Sequence, residues 1–447
     1  MNKTKNEFSK KLFKLVVPIT MQQLMMALVS VTDAVMLGFL NQNALSAVSL
    51  AGQVQFVFSL FLFGLTAGVS ILAAQYWGIN NKDAVEKVLG IGLKWSFIIS
   101  LPFTLGAMLF PELLMKCFAS DQILIDSGAD YLRAVSLSYL LLGISQIYLC
   151  IMKNCGLAVK SSIISSASVI INIILNALLI FGLLGAPKLG IVGAAVATVI
   201  SKAVELIWTL LVMLKNDVKI RMEYVIHNNP ALKGDYWKYT LPILGNEMVW
   251  GIGFTMYSVI LGHMGSDAAA ANSIANIIKN LVICFCTGIA GASGIIIGAE
   301  LGRENLEKAK EYSSKLCRIS LFGGIISGVV ILCIIPFLSL FTSLSETAVS
   351  YLRIMLVVSS YYVVGKAMNM TVISGIFPSG GDSKFGFKCD AITMWCVTVP
   401  LGLISAFILK LPVEVVYCII NIDEIVKLPA VYKHYKKYLW LKNLTRE

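Results

Sequence analysis

Apolar runs of about 20 residues alternate with short polar segments along the whole chain. A helix of that length crosses the hydrocarbon core of a bilayer. Twelve such spans are predicted, at 13–38, 52–76, 88–110, 131–152, 163–185, 191–213, 239–262, 272–298, 316–341, 351–376, 387–409 and 413–432. Backbone groups in lipid find no water, so each run must satisfy its own amides and carbonyls as a helix. A barrel is excluded because its strands would appear as weaker, alternating segments of about ten residues.

Composition agrees with this pattern. Of 447 residues, 57% are hydrophobic and 14% charged, against about 25% charged in soluble domains. The mean hydropathy is +0.80. The net charge of +11 could suggest nucleic acid, but the basic residues form no single face or motif. They gather in loops and tails, and nucleic acid is not expected as a partner. The basic start (Lys3, Lys5, Lys10, Lys11 and Lys14) runs into an apolar stretch too long for a signal core, so it reads as the first span. The ten cysteines lie mostly in apolar runs with no C-x-x-C pair, and there are three histidines. Neither a metal centre nor a disulfide framework is expected.

Lys and Arg orient the spans. An N-terminus in the cytoplasm puts most of the 36 basic residues on the cytoplasmic side and leaves Lys116, Lys188 and Lys410 in the outer loops. Both termini are then cytoplasmic. The second half repeats the first. Val17-Pro18 opens the first span and Leu241-Pro242 the seventh, 224 positions later. Gly38 and Gly262, Gly78 and Gly302, Tyr131-Leu132-Arg133 and Tyr351-Leu352-Arg353, and Gly156 and Gly375 keep nearly the same offset.

The expected architecture is an all-α integral membrane protein, with twelve transmembrane helices in two six-helix lobes related by a pseudo-two-fold axis along the membrane normal. Residues 1–213 form the N-terminal lobe, 214–238 a charged cytoplasmic linker, and 239–447 the C-terminal lobe with a basic tail. Two such lobes leave a cleft that rocking opens to alternate sides, an advantage to a carrier rather than to a scaffold. An enzyme would need a nucleophile, a metal or an acid–base motif in the spans. Neither H-E-x-x-H nor G-x-S-x-G occurs.

A charged side chain at mid-bilayer costs about 2.5–3.5 kcal/mol on insertion scales and marks a functional candidate. Asp33, in the first span, is the foremost one. Desolvation works against the charged form of a lone carboxylate, which suits it to exchange a proton, or to hold Na⁺ with neighbouring oxygens. Span five supplies Asn172 and Asn176 on one helical face and span six supplies Thr198. Their alternative role is helix packing through amide hydrogen bonds. In the second half Glu247, whose repeat counterpart is Gln23, and Asp390 could be balanced by Lys279 and Lys366. That set would be a structural ion pair or a second cation site. Asp423, Glu424 and Lys427 lie close enough to the inner end of the last span to be solvated, with Asp423 the one of the three that could reach the interior.

Pro18, Gln22-Gln23, Asp33, Gly38 and Ala44-Leu45-Ser46-Ala47 resemble the first span and loop of multidrug and toxic compound extrusion (MATE) transporters. Pro242, Glu247, Gly262 and Ala268-Ala269-Ala270 are similar to the family's seventh span. Residues 378–385, followed by Trp395 and Pro400, resemble the loop and eleventh span of bacterial members. The resemblance implies a multi-pass protein of the bacterial cytoplasmic membrane, working as a monomer and without a resident cofactor. It would export small organic cations or amphiphiles in exchange for H⁺ or Na⁺. It also implies an N-lobe cation site at Asp33, Asn172, Asn176 and Thr198. Many members carry Asp where Asn176 stands, so this chain offers one carboxylate rather than two. Glu247 is in the span of the family's C-lobe glutamate, about one turn nearer the proline. The alternative is a flippase for lipid-linked oligosaccharide, of related fold, which needs several cationic groups in its cavity to hold a diphosphate.

Overall fold

The computed structural model describes residues 2–215, 218–219, 221–226, 229–340 and 344–446. Residue 341, expected at the end of the ninth span, and parts of the linker lie outside these. Every ordered element among the described residues is helical. Among the described residues nine helices are long and apolar enough to cross a bilayer, and one bent pair passes the same test. The bent pair is the fourth span, Gln122–Val135 with Leu137–Asn154, turned by 46° between its halves. The seventh expected span is Pro230–His263, whose apolar run is diluted by Asn246 and Glu247. The twelfth is broken into Val413–Ile420, Asp423–Val426 and Leu428–Tyr435. All twelve predicted runs are therefore helical, and two of them are bent or broken.

The chain divides into two compact units, Leu24–Thr240 and Met1–Gln23 with Leu241–Glu447. This division differs from lobes at 1–213 and 239–447, because the first and seventh helices each serve both units. Phe8, Leu12, Val16 and Ile19 at the opening of span one (Asn2–Leu40) are buried in a core with Ile289, Ile296, Leu316 and Trp440. The opening of span seven packs into the first unit instead. Tyr236 Oη donates to Leu65 O at 3.2 Å, and Trp237 meets Trp95 edge to face. The basic linker is held to span three (Lys82–Leu109) by Arg221 Nε on Glu86 Oε2 at 2.9 Å.

Polar residues at the helix starts do the local work. Asn41, Asn81 and Ser345 accept from the backbone N–H three residues on, at 2.6, 3.0 and 3.1 Å, and satisfy donors that a helix leaves free. Packing inverts the soluble pattern, since lipid is as apolar as leucine. In span nine (Leu306–Ile334) Phe322, Ile326 and Val329 are exposed while Ser320, Gly324, Ser327 and Gly328 are buried. Gly324 and Gly328 lie against span ten (Glu346–Asn369, continued to Ser379), where a Cβ on Gly328 would sit 2.5 Å from Ser360 O.

Candidate cation site and cavity

Close packing of spans five (Ala158–Phe181) and six (Gly190–Leu214) builds the first site. Gly182, at φ +73°, ends span five in the left-handed region that suits glycine, and Leu189 N–H donates back to Leu179 O at 2.8 Å. Gly193 then touches span five so closely that a Cβ would lie 2.6 Å from Leu179 O. The two helices run near enough for short side chains to meet.

Those side chains form one hydrogen-bonded row with span one. Asn172 Nδ2 donates to Thr198 Oγ1 at 3.3 Å, and Asn176 Nδ2 donates to Asn172 Oδ1 at 3.2 Å. Asn176 Nδ2 also donates to Asp33 Oδ1 at 2.6 Å. Thr198 gives its own hydroxyl to Ala194 O at 3.0 Å, the usual back-bond of a helical threonine. The four residues named on sequence are thus contiguous. Asn176 is fully buried, and its amide hydrogens serve Asp33 and Asn172 while its Oδ1 has no donor among the described residues. The row therefore offers a carboxylate, a hydroxyl and an unused amide oxygen, the hard oxygens suited to a proton or an alkali cation.

A cavity of about 370 Å³ borders the row. Asp33, Asn172 and Thr198 line it together with Gln55, Tyr131 and Lys202. Spacing does not mark the last three as site residues, and Tyr131 enters the sequence pattern only as a repeat marker. Lys202 donates to Glu205 Oε2 at 3.1 Å, an i, i+3 pair within an apolar helix that the sequence does display.

The second unit carries a different arrangement, and the pairing expected there is not the one that forms. Asp390 accepts from Lys427 Nζ at 2.7 Å, and Lys366 Nζ donates to Glu424 Oε1 at 3.1 Å. Asn369 Nδ2 donates to the other oxygen of Glu424 at 2.7 Å. Lys427 also reaches Glu424 at 3.1 Å and Asp423 at 3.7 Å. Asp423, Glu424 and Lys427 are buried, not solvated, because the break in span twelve turns them inward. Among the described residues no carboxylate stands within ion-pair distance of Lys279, whose Nζ lies 4.8 Å from the Tyr362 ring centre and 5.8 Å from that of Phe254. Glu247 is half-buried, with Lys366 and Asp390 as the charges that act on it.

Long apolar helices, ionisable groups kept inside them and a cavity walled by polar side chains define a polytopic membrane carrier. The MatE family model matches residues 18–178 and 242–404, and the chain belongs to this family of multidrug and toxic compound extrusion transporters. The two matches start at Pro18 and Pro242, the positions that the internal repeat equates. The chain is 22% identical over 435 residues to the uncharacterized transporter YisQ of Bacillus subtilis, covering 96% of this chain and 95% of that one. It is 26% identical to the probable multidrug resistance protein NorM of Halalkalibacterium halodurans, over 89% and 87% of the two chains. The crystal structure of a mutant of the Vibrio cholerae MATE transporter VcmN superposes with a TM-score of 0.89 at 17% identity, over 99% of each chain. The fold is the twelve-helix fold of that family.

Proposed function

We propose that this chain is a cation-coupled antiporter that exports small organic cations or amphiphiles by alternating access, with H⁺ or Na⁺ as the driving ion and Asp33 as the coupling carboxylate. The observation that carries the reading is the row Asp33–Asn176–Asn172–Thr198 at the wall of the cavity. A cation reaching Asp33 neutralises the carboxylate. The bond from Asn176 then weakens, since hydrogen bonds to charged acceptors are roughly twice as strong as neutral ones. Loading the ion thereby alters the contacts among three helices, which is what coupling to a conformational change requires. The protein would work as a monomer, without a resident cofactor, in the bacterial cytoplasmic membrane with both termini on the cytoplasmic side. Relatives named as multidrug resistance proteins support the export of drug-like molecules. The flippase alternative calls for several cationic groups in the cavity, and among the described residues this one is lined by a single lysine, Lys202.

The test is efflux of ethidium, an organic cation, from proteoliposomes under a proton or a sodium gradient imposed separately. The wild-type protein should move the dye under one of the two. Asp33→Asn should lower that rate by tenfold or more while the protein still inserts and elutes as a single species. Unchanged transport by the variant would sink the assignment.

A further inference from the structure

The cavity beside Asp33 holds a second charge that the proposed coupling does not use. Lys202 lines it with 16% of its side chain exposed, whereas its partner Glu205 is 1% exposed. Both oxygens of Glu205 are engaged, Oε2 by Lys202 at 3.1 Å and Oε1 by Ser145 Oγ at 2.9 Å. The carboxylate is thus fixed behind the cavity wall and holds the ammonium at its face. An ammonium has three N–H donors. One goes to Glu205, and among the described residues no other acceptor bonds to Lys202. A pair needed only for packing gains nothing from bordering open space, and a buried ion pair is weak support for stability in any case. Asp33, of opposite sign, lines the same cavity.

We infer that Lys202 is a substrate-binding residue that takes a carboxylate of the transported molecule, so that the substrates of this protein include amphiphiles bearing an anionic group, zwitterions among them. The word "transported" rests on the efflux reading above; the contact itself does not. A simple monocation entering the cavity is attracted by Asp33 and offers Lys202 no partner. A molecule with both signs finds a partner for each, and a carboxylate on an ammonium makes the stronger, charge-assisted kind of hydrogen bond.

A rhodamine carboxylic acid and its methyl ester test this, being one fluorescent ring system with and without the anionic group. Equilibrium binding of each to the purified full-length protein gives a preference ratio. The wild type should favour the acid about tenfold, the size expected of one hydrogen bond to a charged group. Lys202→Met should bring the ratio near one, and Lys202→Arg should keep it. Lys202→Gln carries the same reading should the methionine variant not fold. A purely structural lysine would weaken both probes alike and leave the ratio unchanged. That result, or equal binding of the two by the wild type, overturns the inference. Gradient-driven transport is scored separately in proteoliposomes. A preference for the acid without transport would refute efflux and uphold the contact, and transport without the preference would do the reverse.

Discussion

At the scale of single residues the two units spend their buried charge differently. Asp33 is served by a neutral amide and faces open space, an arrangement that leaves room for an ion. Lys427 is surrounded by Asp390, Glu424 and Asp423 and is 4% exposed, an arrangement already filled. Removing one partner from such a buried set leaves uncompensated charge and costs about 3–5 kcal/mol. Lys427→Met is therefore expected to lower the thermal unfolding temperature in detergent markedly. Adding Asp390→Leu should restore part of the loss, and no loss in the single variant would mean that the cluster does not contribute to stability. Residue spacing made the first row legible, because Asn172 and Asn176 share a face of any regular helix. Lys202 and Glu205 were equally visible as an i, i+3 pair, but nothing in the sequence tells which face of span six borders a cavity. Glu424 and Lys427 lie deeper than their place near the predicted span end suggests, for another reason. Distance from a predicted span end measures depth only while the helix is continuous, and span twelve is not.

At the scale of elements, glycine governs how helices approach. Gly324 and Gly328 form a G-x-x-x-G pair on the buried face of span nine, and the backbone of span ten fills the space a side chain would need. Gly328→Val should force the two apart at a cost of about 1–3 kcal/mol, the usual range for overpacking. The expected result is a lower unfolding temperature than that of Phe322→Ala, an exposed position on the opposite face that should stay near wild type. Equal behaviour of the two variants would contradict this account of the helix contact. Spans ten and eleven (Ser383–Ile408) also carry wide π turns, at Met370–Ile376, Ile392–Thr398 and Ile404–Ile408. In the second of these, Thr398 Oγ1 donates to Thr393 O at 3.2 Å, five residues back. Hydropathy locates such helices but is blind to their turns, since a π turn changes the angular position of side chains and not their polarity.

At the scale of the whole molecule, basic residues set orientation through the energetics of insertion. The proposed orientation, with Lys116, Lys188 and Lys410 outside, predicts that a cysteine introduced at Lys188 or Lys410 is labelled from the exterior of intact cells. A fluorescent protein fused to the C-terminus should fold on the cytoplasmic side. The opposite labelling would reverse the topology. Number and order of the spans were legible in the linear sequence, because a bilayer constrains a run of about 20 residues without reference to any other part of the chain. Length was not, since helices such as Gln42–Gly78 and Ser266–Gly302 run beyond their apolar cores. The repeat was legible because Pro18 and Pro242 stand 224 positions apart in the linear chain, although each lies inside its helix rather than opening it as the sequence pattern suggests. Local spacing likewise put Asn172 and Asn176 on one face. Only the tertiary structure decided which charges meet. Lys366 finds Glu424 across 58 positions, and Asn176 finds Asp33 across 143. It also decided that the opening of span one packs with Ile289 and Leu316, and that of span seven with Leu65 and Trp95. These outcomes depend on which helix faces pack together, and in lipid the packing follows small residues and hydrogen bonds, which average hydropathy does not register.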